Sequence, residues 1–275
     1  MTITANDFDF IRQMVKNSSA IALDDGKEYL VEMRLSTLIR KLEIPSIADL
    51  VSKLRDASAT SLHQMVVEAM TTNETSFFRD AHPFEVLEKT ILPEIVAKRR
   101  SERKLSIWCA ASSTGQEPYT IAMILCEAFP EIRNWNIEFL ATDISEGVLA
   151  HARKGHFSQL EVNRGLPAPL LVKYFDREGN DWVIKEELRR MIKFKYMNLN
   201  QQWLPMPKLD LVFIRNVLIY FTVETKKKIL KQIEGMMRPD GYLFLGTSET
   251  TLHLDSAFER LALGRAACYR LPQGA

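Results

Sequence analysis

In this chain the residues able to do chemistry stand where short apolar runs stop. The run 105–109 ends at 110–119 (AASSTGQEPY), a small polar turn leading into a helix. Free N–H groups at a helix start favour a carboxylate, and Glu117 offers an anion to an ammonium group. A ligand with both groups is an amino acid, and the methionine part of S-adenosylmethionine (SAM) qualifies; an ordinary strand–helix turn would look the same. The run 137–141 leads into 141–144 (ATDI). An acidic residue at such a strand end accepts both ribose hydroxyls in nucleotide-binding sheets, which makes Asp143 a ribose candidate. Capping the helix that starts near Ser145 is the other use of Asp143. In 196–199 (YMNL), Asn198 is placed to bond an adenine amino group. In 215–221 (RNVLIYF), polar residues precede an apolar run with a tyrosine, as in a site floor or plain core. The four strand ends together point to an adenosyl cofactor. The turn after the first run has one glycine, so the G-x-G-x-x-G pattern of a dinucleotide site is absent.

The segment 70–80 (MTTNETSFFRD) is rich in side-chain hydrogen bonders and ends in Phe-Phe-Arg. It reads as an interdomain linker with helix caps, or as a cofactor lid that aims Arg79 at a reaction centre. Three cysteines (Cys109, Cys126, Cys268) form no C-x-x-C pair and read as buried thiols, and five histidines lack zinc-like spacing, so no metal site is expected.

These groups need a scaffold. From residue 77 onward short apolar runs alternate with helical patterns. Strands are expected at 105–109, 137–141, 194–197, 209–214 and 242–245, with 266–271 closing the chain, and helices at 80–98 (broken or kinked at Pro93), 119–129, 145–154 and 223–237. That alternation predicts an α/β fold with a doubly wound, mostly parallel sheet. Residues 155–193 break the rhythm and read as a small inserted subdomain. It has a short helix from Pro167, a turn at 177–180 and a strand at 182–184. The cluster 98–104 (KRRSERK) reads as a solvated loop.

Residues 1–76 read as four helices, with caps at Asn6 and Ser46. In the second, 27–42, Val31, Leu35, Leu38 and Leu42 form an apolar stripe. Lys27, Arg34 and Lys41, seven apart, form a basic one with Arg40 nearby, either a solvated edge or a ridge for an acidic helical partner. The whole chain has 275 residues with Lys+Arg 36 against Asp+Glu 35, net charge +1, which disfavours a nucleic-acid binder. No apolar run reaches membrane-spanning length, and the acidic, polar start lacks a secretory pattern, so a cytoplasmic location is expected.

Taken in order, 71–82 (TTNETSFFRDAH), 110–119, 141–144, Asn198-Leu199, 215–221 and 239–249 (PDGYLFLGTSE) resemble the chemotaxis receptor methyltransferase family, CheR. The resemblance covers nearly the whole chain, the helical N-terminal region included. It implies a SAM-methyltransferase domain over 77–275, and a receptor-docking domain over 1–76 in which Lys27, Arg34, Arg40 and Lys41 are candidate partner contacts. The implied activity is methyl transfer from SAM to glutamate side chains on the cytoplasmic coiled coils of chemoreceptors. S-adenosylhomocysteine is the product, and no metal is required. The resemblance implies cofactor contacts at Asn73, Thr75, Arg79, Glu117, Asp143, Asn198, Leu199, Asn216 and Val217, with Arg79 and Tyr220 as the catalytic pair near the transferred methyl.

Two features depart from the family pattern. Members that dock a receptor's C-terminal peptide carry a longer, glycine-containing loop in the subdomain, whereas 175–182 (FDREGNDW) is short, so independence from such a peptide is expected. The N-terminal region of familiar members is basic, whereas residues 1–76 hold eight Lys+Arg against eleven Asp+Glu. A monomer that meets the membrane only through its receptors is the default expectation. The rival readings are a SAM O-methyltransferase with another protein or carboxylate acceptor, and a silent sensor of SAM or S-adenosylhomocysteine.

Overall fold

The computed structural model describes residues 3–254 and 257–272. Residues 1–2 and 273–275, at the ends of the two expected domains, lie outside it. The chain divides into two compact units: residues up to Thr72 with 198–202 and 220–225, and residues 73–197, 203–219 and 226 onward. The sequence-expected boundary at 76/77 falls a few residues later than this division, and the two short returning segments have no local signature.

The first unit is built on the helices α1 (Ala5–Ser19), α2 (Glu28–Lys41), α3 (Ile47–Leu54) and α4 (Thr60–Met70). Each turns one apolar stripe inward: Phe8, Ile11 and Val15 on α1, and Ile47, Leu50, Val51 and Leu54 on α3. Thr4, not Asn6, caps α1, because its hydroxyl accepts the Asp7 amide, two residues before the expected position. Ser46 caps α3 as expected, and its hydroxyl also donates to Asp49. On α2 the buried stripe is Val31, Leu35 and Ile39, with Leu38 and Leu42 only half-buried. The true spacing is i, i+4, i+8, so the expected stripe was set slightly around the helix. Ile21 and Phe221 join the returning segment to this unit by an isolated bridge.

The second unit starts with α5 (His82–Val86) and α6 (Leu92–Arg99), joined through a π-helical turn at Leu87–Ile91. Pro93 lies in the first turn of α6, which continues directly from the π-turn, so its missing N–H leaves that preceding turn short of one ladder bond. The break expected at Pro93 is therefore a π-turn just before it. Then come β1 (Lys104–Ala110), α7 (Gln116–Ala128), β2 (Asn136–Asp143) and α8 (Glu146–Lys154). An inserted part holds β3 (His156–Ser158), α9 (Gln159–Asn163), α10 (Ala168–Tyr174), β4 (Phe175–Glu178), β5 (Asp181–Ile184) and α11 (Glu186–Arg189). The main sheet resumes with β6 (Ile192–Tyr196), β7 (Leu209–Ile214), α12 (Val223–Met236), β8 (Met237–Leu245), β9 (Glu259–Arg260) and β10 (Cys268–Arg270).

The seven-stranded sheet runs β6-β2-β1-β7-β8-β10-β9, parallel from β6 to β8 and antiparallel beyond. β1 and β7 are apolar and buried along almost their whole length, as central parallel strands covered on both faces must be. α7 begins three residues before the expected Tyr119, and β9 carried no sequence signal. The inserted part is a three-stranded antiparallel sheet, β3-β5-β4. Its β4–β5 hairpin pairs Glu178 with Asp181, so the turn is Gly179 and Asn180 alone.

In the cluster at 98–104, residues 100–103 are the exposed turn that was expected, but its ends belong to regular elements and Arg99 is not solvated. Lys98 and Arg99 belong to α6, and Arg99 is buried between Asp210, at 2.6 Å, and Asp240. Asp210, fully buried on β7, also accepts the Ser106 amide of β1 at 2.8 Å. Arg238 bonds Glu102 at 2.7 Å, and Lys104 pairs with Glu138 at 2.8 Å. Burial works against the Arg99 charge, yet its hydrogen bonds to Asp240 and Asp210 outweigh that and hold it firmly protonated. The Asp240 carboxyl is in turn held below its ordinary range, chiefly by Arg99.

Two outcomes follow from this network. Arg99→Ala leaves the buried Asp210 carboxylate only the Ser106 amide and the more distant Arg238, and should cost about 3 kcal/mol in urea unfolding. Because the folded-state pKa of Asp240 is depressed, its contribution is complete above the unfolded value, about 3.9, and is lost as pH falls through the folded value. The stability advantage of wild type over Asp240→Asn should therefore hold from neutral pH down to about 4 and shrink below it. A difference that does not change with pH would remove Arg99 pairing as its source.

Candidate active site

A parallel sheet offers ligands the crevice at the carboxyl ends of its strands, where the strand order reverses. Here that point lies between β1 and β7, since the chain runs from β1 to β2 and β6 on one side and from β7 to β8 on the other. Glu117, in the first turn of α7 after β1, and Arg215, just after β7, meet there as an ion pair. Arg215 has 1% side-chain exposure. Its second terminal nitrogen donates to the Asp80 carboxylate at 2.8 Å and to the Arg79 carbonyl at 3.0 Å, and its guanidinium lies 5.3 Å from the Phe84 ring centroid. The Cys109 thiol donates to the other Glu117 oxygen at 3.1 Å. Burial, reinforced by Glu117, pushes that thiol well above its ordinary pKa, so it remains a neutral donor. Cys268 is likewise pushed up to about 12 by burial. Glu117 is thus held on both oxygens at the start of a helix.

Asp143 ends β2, with 6% exposure. One oxygen accepts the Ser113 amide at 2.9 Å and the other the Ser145 amide at 3.0 Å, so it ties the loop after β1 to the loop after β2. The cap of α8 is Ser145, whose hydroxyl accepts the Val148 amide, so Asp143 does not serve as that cap. Ala111 and Ser113 have φ of 52° and 50°, a left-handed conformation rarely taken by non-glycine residues. The buried Ser112 hydroxyl between them has no hydrogen-bond partner among the described residues. Such orphaned groups and strained loops gather where ligands bind. The Ser113 hydroxyl donates to the Asn73 carbonyl at 2.8 Å, bringing Asn73 to the same loop.

Arg79 is presented by a tight turn. Phe77 is fully buried and packs edge-on against Phe157 and Phe175, at 5.0 and 5.7 Å between centroids. A Cβ at Gly165 would lie 2.2 Å from the Phe77 carbonyl oxygen, so only glycine allows this approach. Past the anchor, Phe78, Asp80 and Ala81 all have positive φ. Half-buried Arg79 donates from one terminal nitrogen to the Glu74 carbonyl at 2.9 Å. Thr75 is half-buried in the same segment. Asn216, with φ 58°, and Val217 follow Arg215 after β7.

Other expected site residues belong to the first unit. Asn198 donates its side-chain amide to the Ser18 carbonyl at 2.6 Å, and its side-chain oxygen accepts the Asn200 amide at 2.9 Å. Leu199 is buried, and the Tyr220 carbonyl accepts the Ala22 amide at 2.9 Å. Arg34 bonds the Met70 carbonyl and, at 2.8 Å, the Thr72 hydroxyl, so the basic stripe on α2 loses its middle member. Lys27, Arg40 and Lys41 remain exposed.

Sequence reasoning missed Asp80 and Glu249 as parts of the site and took Arg215 only as a polar residue of the floor. Only Arg215, a charged residue just past a strand end, shared the cue that identified Glu117 and Asp143; Asp80, in the turn before α5, and Glu249, in the turn after β8, had none. Glu249 accepts the amides of Asn216 and Gly246 at 2.8 and 2.7 Å.

Comparison with known proteins gives a consistent pattern. Residues 73–266 match the family model described as CheR methyltransferase, SAM binding domain, and residues 6–71 match CheR methyltransferase, all-alpha domain. Chemotaxis protein methyltransferase 1 of Pseudomonas aeruginosa is 38% identical over 98% of this chain and 99% of its own. Chemotaxis protein methyltransferase Cher2 of Pseudomonas putida is 37% identical over 96% and 97%. Among solved structures, the glycopeptide N-methyltransferase MtfA complexed with SAM aligns over 54% of this chain and 47% of its own, at 13% identity and a TM-score of 0.33, too distant to argue from.

The buried pairing itself is testable. Arg215→Ala strands the Glu117 carboxylate and should lower stability by about 3–5 kcal/mol, whereas Arg215→Met combined with Glu117→Gln should recover most of that loss in thermal melts.

Proposed function

The chain belongs to the CheR methyltransferase family and is a SAM-dependent methyltransferase; from that premise we propose that it methylates glutamate side chains on the cytoplasmic coiled coils of chemoreceptors. The observation that carries this reading is the set of acids and strained loops at the β1/β7 switch point, in a chain that matches named chemotaxis methyltransferases end to end.

The donor set fits SAM: a rigid carboxylate at a helix start for an ammonium group, a strand-end carboxylate for ribose hydroxyls, and an orphaned buried hydroxyl in the loop between them. Bound SAM supplies a methyl group made electrophilic by its sulfonium centre. In this reading Glu117 receives the ammonium group and Asp143 the ribose hydroxyls. Asn73, Thr75, Arg79, Asn198, Leu199, Asn216 and Val217 complete the cofactor contacts, as the family resemblance implies.

A glutamate acceptor has an ordinary pKa of about 4.3 and is already ionised at neutral pH, so the reaction needs no general base. The work of the protein is positioning. Glu74 holds one Arg79 nitrogen, which orients the remaining N–H groups toward an acceptor carboxylate. Too tight a pairing there would stabilise the ground state and slow transfer, so the role of Arg79 is orientation. Tyr220 helps to place the acceptor. S-adenosylhomocysteine keeps nearly all of these contacts and inhibits as product.

On α2, Tyr29 and Met33 are 66% and 60% exposed and share a stripe with Arg40. An exposed apolar stripe that carries Arg40 suits an amphipathic, acidic receptor helix, with Lys27 and Lys41 further round α2. The hairpin turn of Gly179 and Asn180 supports methylation without a receptor tail peptide.

The test uses methyl-labelled SAM with receptor-containing membranes, counting label released by alkali as methanol, since carboxyl methyl esters hydrolyse and methylated amines do not. Arg79→Ala should lower turnover by about 10²-fold with the fold intact. Receptors lacking their C-terminal tail should be labelled at the wild-type rate. Measurable SAM binding without receptor label would replace this reading with another acceptor or a silent sensor.

A further inference from the structure

The loop that follows β7 carries Asn216 and Val217 and passes into a single 3-10 turn at Leu218–Tyr220, and its first amides lie outside the sheet. Three amides meet one carboxylate instead. The Asn216 and Gly246 N–H groups donate to one Glu249 oxygen at 2.8 and 2.7 Å, and the Ile219 N–H donates to the other at 3.3 Å. Glu249 reaches them from the turn after β8, more than thirty residues along the chain in the case of Asn216, and is 7% exposed. The two turns are pressed together at that point. A Cβ on Gly246 would lie 2.7 Å from the Asn216 side-chain nitrogen, 2.8 Å from its amide nitrogen and 2.8 Å from a Glu249 oxygen, so the approach requires glycine. Asn216 is itself held at φ 58°, a conformation that persists only where surrounding bonds over-determine it.

We propose that Glu249 is a positioning residue for methyl transfer: its carboxylate, with Gly246 beneath it, sets the conformation of the loop 215–219 that presents Asn216 and Val217 to the cofactor and leads to Tyr220. The proposal rests on the methyltransferase reading above. The physical reason lies in the acceptor. A carboxylate has two oxygens that only accept, and charge-assisted bonds to amides are stronger than neutral ones. A glutamine of the same shape turns one end into a donor facing amide donors, so it cannot hold all three. A shorter aspartate cannot reach both turns. Neither the Asn216 strain nor the Gly246 approach is explained by packing alone, because the residues involved are polar and stand at strand ends.

The test compares wild type, Glu249→Gln and, as a control in the same turn, Thr250→Ala. Amide hydrogen exchange reads the clamp directly. The Asn216, Ile219 and Gly246 amides should be protected in wild type and in Thr250→Ala; in Glu249→Gln the one remaining side-chain oxygen serves only one side of the clamp, so either the Ile219 amide or the Asn216 and Gly246 pair should lose protection. Calorimetric SAM titration and receptor methylation read the consequence. Glu249→Gln should weaken SAM binding and lower kcat, each by about tenfold, while its melting temperature stays near wild type. A purely structural role would lower the melting temperature and leave the kcat and affinity of the folded fraction unchanged, which overturns the proposal. Rapid exchange of the three amides in wild type also overturns it, and that measurement decides the matter even where Glu249→Gln fails to fold. Failure of wild type to bind SAM would sink the methyltransferase reading instead, a result distinct from any loss confined to Glu249→Gln.

Discussion

The second unit is organised around a buried cation. Arg215 has almost no solvent contact, and a guanidinium in that position is tolerated only where carboxylates and carbonyls take up its N–H groups. Glu117, Asp80 and the Arg79 carbonyl take up those of its two terminal nitrogens, while its buried Nε has no partner among the described residues. This one requirement joins three stretches that are distant in sequence: the start of α7, the strained turn after Phe77, and the end of β7. It also sets the electrostatics of the site. Arg215 faces the Glu117 carboxylate, and burial first and Glu117 second keep the Cys109 thiol neutral.

β7 carries a second charge network at its other end. Asp210, near its start, takes hydrogen bonds from Arg99 and from the Ser106 amide, and Arg238 lies 3.4 Å away. The intervening residues of the strand are apolar. A strand with ion pairs at both ends and grease between has little freedom to slide against its neighbours, since a shift of one residue would leave buried charges unpaired. The carboxyl end, where the candidate site lies, is therefore held by the same strand whose amino end is fixed by Arg99.

Strain gathers at the same loops. Phe78, Asp80, Ala81, Ala111, Ser113 and Asn216 all have positive φ, and every one lies in the turn before α5 or just beyond β1 or β7. Each strained stretch has an anchor nearby: buried Phe77 in its aromatic cluster, Asp143 holding the Ser113 amide, and Glu249 holding the Asn216 amide. A rigid sheet below and fixed bonds above allow backbone conformations that would not persist in a free loop, which is what a site that works by positioning needs.

Local pattern was enough to read the alternation of strands and helices, the four-helix region, the inserted subdomain and the strand-end acids Glu117 and Asp143. Each of these depends on periodicity or on a residue's place within its own element. What the sequence could not express was which distant groups would meet. Arg99 looked like part of a solvated basic run until Asp210 and Asp240 surrounded it. Arg34 looked like the centre of a docking ridge until it met the Met70 carbonyl and the Thr72 hydroxyl. Glu249 had no signal of its own role, because the amides it holds belong to a loop that only the pairing of β7 with β8 brings beside it. Residues 198–202 and 220–225 join the first unit for the same kind of reason. Charges and amides find their partners in space, and a linear pattern records only the half of each pair that stands in view.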